Sequence, residues 1–151
     1  MKNNKRILSY VLIIIVILFL ISNRYSDYKV RKTLEVIEKF NSIELFSNSQ
    51  LIKKYSYLDS YKNIGIIFAD NKSNNRINRI DKSLIGYLKF LKDEELLEEC
   101  KIYYIKELTA DIPFLYDYKY DTIILAKMKG KYFTLSQEIY DEIVKNNMID
   151  K

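Results

Sequence analysis

The single cysteine of the chain, Cys100, follows Glu98 and Glu99 and is the side chain with the most evident covalent chemistry. An ionised thiol can attack a partner's disulfide. Two adjacent carboxylates raise a thiol's pKa, so this setting suits a small apolar filler better than an activated nucleophile. Cys100 stays the candidate thiol for a redox reading in which a partner protein supplies the second cysteine. The chain has no histidine, which removes an imidazole base and a Cys/His zinc site, and one cysteine cannot form an intramolecular disulfide.

Oxygen donors cluster at Asp93, Glu94, Glu95, Glu98 and Glu99. A calcium loop would alternate its carboxylates around a glycine turn, which is missing here, so the cluster reads as a solvated helix terminus and no metal site is expected. Asp70 and Asp81 are isolated carboxylates with nothing to make them an acid/base pair. Tyr116, Tyr118 and Tyr120 alternate, so an extended backbone would set them on one face as an aromatic patch for a peptide, whereas a helix or loop would scatter them. No catalytic constellation and no cofactor is expected.

Charge narrows the partners further. Of the formal net charge of +5, Lys2, Lys5 and Arg6 supply three, and from Ser9 onward 22 basic residues face 20 acidic ones. No basic stripe emerges, so a nucleic-acid partner is not expected. The 14 tyrosines beside three glycines and one proline are what an AT-rich coding bias produces.

The elements that must position these residues begin with an uncharged run, Ile7 to Ser22. As a helix it would span ~24 Å, against a hydrocarbon core of ~30 Å. Arg6 and Arg24 can snorkel to lengthen it. The run is therefore expected to be a transmembrane anchor over 7–22, in contact with membrane lipid, behind a short basic tail over 1–6. No small-x-small pair follows Leu20, which argues for an uncleaved signal anchor. The basic flanks nearly balance; the short basic head favours a single-pass protein of the cell membrane, N-terminus inside and C-terminal domain outside.

Val30, Leu34, Ile37 and Phe40 give a helical stripe, a stalk over 23–42 ahead of a domain over 43–151. Ile43 to Phe46 suits a first edge strand, and Leu51 to Leu58 a short helix. Asn63 to Ala69 is the expected central strand, and the polar loop from Asp70 to Asn75 can cap a helix marked by Ile77, Ile80, Leu84, Leu88 and Leu91. Lys101 to Lys106 reads as a parallel second strand. A loop or short helix holding Pro113 follows, then a hairpin of Thr122–Met128 and Tyr132–Leu135 around Lys129, Gly130 and Lys131. Ser136 suits the N-cap of a last helix whose buried face carries Ile139, Tyr140, Ile143 and Val144.

This order, over about Ile43 to Asn146, resembles the thioredoxin family. The strand Lys101 to Lys106 and the hairpin after Thr122 are similar to parts of its bacteriocin-transport-accessory branch. The resemblance implies an α/β fold, a mixed sheet flanked by helices, behind the transmembrane helix. It also places Ser73, Asn74, Asn75 and Arg76 where the family carries its C-x-x-C motif. Asp121 precedes Thr122 where the family has its cis-proline, and a register using Pro113 instead leaves too few residues for the intervening helix. With no cysteine at the motif, the family's redox activity is not carried over.

The expected function is that of a membrane-anchored, thioredoxin-like binding or accessory module for an exported peptide or envelope complex. Ser73, Asn74, Asn75 and Arg76 would be its binding residues, through backbone N–H groups at a helix start that face an anionic or extended partner. The alternatives are a thiol-dependent redox protein using Cys100 and a structural subunit of a membrane complex.

Overall fold

The structure, a computed structural model, describes residues 2–56, 66–108, 111–116, 118 and 120–149, and for 2–11, 23, 26, 27, 29 and 30 it describes the backbone. The chain divides into two compact units, Met1–Glu35 and Val36–Lys151.

The first unit is supplied by helix α1, Lys2–Lys39, whose last residues belong to the second. Leu12 to Ile21 are apolar on every side of this helix, and each is 49–65% exposed. Toward its C-terminal end the Lys32 ammonium bonds Glu35 at 3.0 Å and lies 5.9 Å from the Tyr28 ring centre. Among the described residues no helix is long and apolar enough to cross a membrane. The expected transmembrane signal anchor is corrected on that finding. The uncharged run Ile7 to Ser22 covers ~24 Å of helix, short of a hydrocarbon core of ~30 Å.

The second unit is built on one sheet of six strands in the order β2-β1-β3-β4-β5-β6. The strands are β1 (Ser42–Ser47), β2 (Gln50–Ser56), β3 (Ser83–Lys92), β4 (Glu95–Ile105), β5 (Ile123–Met128) and β6 (Lys131–Thr134). Helix α2 (Asn71–Arg79) precedes β3, a single 3-10 turn (Pro113–Leu115) lies between β4 and β5, and helix α3 (Gln137–Lys145) follows β6.

Every neighbouring pair of strands is antiparallel. The expected thioredoxin-like mixed sheet is thereby corrected, and the physical reason lies in Ile77 to Leu91. Leucines and isoleucines recur there at helical spacing, yet Leu88 and Phe90 point to one face while Tyr87 and Lys89 point to the other. That is the period of a half-covered strand, so the helix ends at Arg79 and no crossover helix exists to make the next strand parallel. The same cause converts the supposed acidic helix end into a β3–β4 hairpin. The short helix expected from Leu51 is strand β2 as far as Ser56, and residues 57 and 58 lie outside those described.

Nor is Asn63 to Ala69 a central strand: 63–65 lie outside the described residues, and the rest runs along the outer edge of β6. There Ala69 N donates to Tyr132 O at 2.8 Å and Thr134 N to Ile67 O at 3.0 Å. The strand expected first and at an edge, β1, lies instead between β2 and β3. The hairpin β5–β6 and the Ser136-capped helix α3 stand where the sequence places them.

Among the described residues the two-residue hairpin turns Asn48-Ser49, Asp93-Glu94 and Lys129-Gly130 have positive φ at both positions. These are the left-handed positions of the tight turns whose twist matches that of the strands they join. One face of the sheet, carrying Leu45, Leu88, Phe90, Ile102, Ala126 and Phe133, packs with Ile139, Tyr140 and Ile143 of α3 to form the main core. On the other face Ile77, Ile80, Ile112 and Leu115 cover Ile105, Leu125 and Tyr132. Among the described residues that second cover reaches only the β4–β6 end.

Candidate functional site

The residues nominated from sequence are put to structural use. Asp70, the N-cap of α2, accepts a hydrogen bond from Ser73 N at 2.9 Å and another from the Ser73 hydroxyl at 2.7 Å. Those bonds, the backbone one first, hold the Asp70 carboxyl below the usual carboxylate range. Ser73 is fully buried. Asn74 clamps the β5–β6 hairpin, its Nδ2 donating to Gly130 O and its Oδ1 accepting from Tyr132 N, both at 2.9 Å. Asn75 is exposed, and Arg76 donates to the Asp111 carbonyl. The four therefore face different ways: Ser73 is bonded into the cap of α2, and Asn74 ties α2 to the hairpin.

Cys100 is fully buried beside its cross-strand neighbour Leu88. Burial, and then the charge of Glu98, pushes its thiol well above the ordinary value. A thiolate poised for exchange is not what this position produces.

The acidic cluster disperses as well. Asp93 exchanges two hydrogen bonds with Asn41, at 2.8 and 3.1 Å, Glu98 pairs with Lys129 at 2.7 Å, and Glu99 lies 3.9 Å from Lys89. Among the described residues no three His, Cys, Asp or Glu side chains are placed to hold a metal ion.

The tyrosine triplet scatters: Tyr116 is exposed and donates to the Asp111 carboxylate, and Tyr120 stacks on Tyr140 with centroids 4.0 Å apart. The Tyr118 hydroxyl accepts from Ile124 N at 3.0 Å and donates to Ile124 O at 2.7 Å.

What the sequence reading missed is the sheet surface that α2 and the other described residues leave uncovered. Cross-strand register sets Phe46, Tyr87, Lys101, Lys127 and Tyr132 in one row over β1, β3, β4, β5 and β6. A second row runs Lys54, Glu44, Lys89, Glu99. Directly paired residues share a face, so both rows point away from the main core.

Between them lies a cleft of ≈260 Å³ lined by Phe46, Ser49, Tyr87, Lys89 and Glu99. The Lys89 ammonium sits 4.4 Å from the Phe46 ring centre and 3.9 Å from Glu99, while Lys54 lies 3.5 Å from Glu44. A cation over an aromatic ring contributes ~0.5–1 kcal/mol in an exposed setting, and a surface ion pair ~0–1 kcal/mol. Contacts this weak orient side chains without committing them, and a partner can displace them. The signal for this surface was present in the alternation of Tyr87 and Lys89 with Leu88 and Phe90.

Protein-family models, curated proteins and solved structures were compared with the chain, and none matches it.

Proposed function

We propose that this chain is a binding module which holds an extended segment of a partner protein on the uncovered half of its sheet, while the apolar stretch of α1 lies in lipid. The observation that carries the reading is the cleft itself. Phe46 and Tyr87 stand side by side on a rigid antiparallel sheet, half-buried, and charged groups border them. Aromatic anchors rimmed by polar groups characterise recognition surfaces, because the rings bury much area at little cost in side-chain entropy. Binding is favoured over catalysis because the one thiol is buried and the chain has no imidazole.

Lipid contact rests on a separate argument. A partner helix covers one stripe of a helix, but Leu12 to Ile21 are exposed all round. A surface apolar on every side is satisfied by a medium that surrounds it, and a lipid phase does so.

Panning a random peptide library on the full chain in lipid nanodiscs tests the binding surface. Selected peptides are expected to lose about ten-fold in affinity on Phe46→Ser and Tyr87→Ser, with circular dichroism showing that both variants fold. Peptides that bind both variants as well as the native chain would refute the reading.

A further inference from the structure

We propose that the uncovered face selects an acidic segment, one carboxylate lying by Lys101 and Lys127 and an aromatic or aliphatic side chain three residues away resting on Phe46 and Tyr87. This rests on the binding-module reading and adds the chemistry of the partner.

The face is asymmetric in charge. Glu44 and Glu99 each have a lysine within 4 Å, Lys54 and Lys89 respectively. Lys101 and Lys127 add two further cations and stand directly opposite one another on β4 and β5. Like charges in directly opposed positions of a sheet destabilise it unless something of opposite sign lies between them. The Lys127 ammonium is drawn toward α2, donating to Asn78 Oδ1 at 2.9 Å and lying 4.7 Å from the Tyr132 ring centre. The Lys101 side chain is exposed and makes no ion pair or hydrogen bond among the described residues. Its ammonium is available to an anion brought from outside.

Geometry supplies the spacing. Strands lie ~4.8 Å apart, so the midpoint of Lys101 and Lys127 is ~10 Å from the midpoint of Phe46 and Tyr87 along the row. A polyproline II segment has three residues per turn and rises ~3.1 Å per residue, so side chains three apart project from one side of it, ~9 Å from one another. An acidic residue followed or preceded at that spacing by an apolar one spans the row. A nucleic-acid strand fits less well, because Glu44 and Glu99 on the same face repel a continuous phosphate backbone.

The test uses fluorescence anisotropy of the full chain in nanodiscs with a labelled peptide holding Glu and Phe three residues apart in a Ser/Thr background. Its comparators are the same peptide with Gln for Glu, one with Glu and Phe adjacent, and a labelled oligothymidylate. The expected result is about five-fold weaker binding of the Gln and adjacent peptides, and a similar loss for the Glu peptide on Lys101→Gln. Lys101→Glu with a Lys-for-Glu peptide should recover the binding.

Glu and Gln peptides that bind alike, with dependence on Tyr87, would overturn the acidic selection and leave the binding surface standing. Oligothymidylate binding tighter than the Glu peptide through Lys101 would overturn it in favour of nucleic acid. No binding of any probe would overturn it too, and the library-selected peptides then decide separately whether the surface binds anything.

Discussion

At the scale of single residues, the side chains with the most chemical promise in the sequence are those the fold consumes. Asp70→Ala should cost ~1 kcal/mol in urea unfolding, the usual value of a lost N-cap. Asp70→Asn, which keeps an acceptor, should cost less. The sign of the pH effect follows from the lowered pKa of Asp70. Its charged form stabilises the folded state above the unfolded carboxylate range, and that contribution is lost as pH falls through the folded value. The urea midpoint of the native chain should therefore fall further in acid than that of Asp70→Asn, at unchanged slope; identical acid limbs would contradict the assignment.

Gly86 offers a second check, since a Cβ there would stand 2.4 Å from Phe46 O and 2.6 Å from Met148 Cε. The first obstacle is main chain of the neighbouring strand, so Gly86→Ala should destabilise by ~1–3 kcal/mol. Cys100 should resist iodoacetamide in the folded chain and react once it is unfolded, read by mass. Rapid alkylation of the folded protein would revive the thiol reading.

The capping role of Ser136 was legible because a cap bonds the backbone three residues on, whereas Asp70 was placed only within a polar loop, Asp70 to Asn75, most of which is the first part of α2. The role of Asn74 was not legible, because its partner Gly130 is 56 residues away.

At the scale of elements, turn chemistry decided what the sequence disclosed. The β5–β6 hairpin was legible from Gly130, whose φ of 84° is natural for glycine. The β1–β2 and β3–β4 hairpins turn on Asn48-Ser49 and Asp93-Glu94, also at positive φ but without glycine. With that signal missing, the leucine spacing through Ile77 to Leu91 dominated and implied a helix. Glu94 at φ 70° carries the steric cost of a left-handed side-chain residue. Glu94→Gly should relieve it and stabilise the chain by ~1 kcal/mol, seen as a rise in the urea midpoint at unchanged slope. A fall in the midpoint would mean the turn is not built this way. Strand β4 was found in part, as Lys101 to Lys106, and its first half was hidden among charged residues that a solvent-facing hairpin tolerates.

At the scale of the whole chain, the sequence disclosed an apolar N-terminal stretch and a folded α/β part, but not the architecture of the second. Strand order depends on pairings between distant segments, and one misassigned helix turned an antiparallel sheet into a parallel expectation. For the apolar stretch, the full chain is expected to float with phosphatidylcholine vesicles in a density gradient. Replacing Ile14 and Ile17 with Asp should move it to the bottom fractions, since each buried charge is costly in hydrocarbon. Flotation unaffected by both changes would place lipid contact elsewhere.

The central claim is that the uncovered sheet face, and not the start of α2 or the tyrosine segment, receives a partner. Photo-cross-linking addresses it most directly, with p-benzoylphenylalanine in place of Tyr87 or of Tyr116 in the full chain and a library-selected peptide as the target. Covalent capture from position 87 and none from position 116 is the expected result. Capture from 116 alone, or from neither position while the peptide still binds, would contradict the assignment of this face.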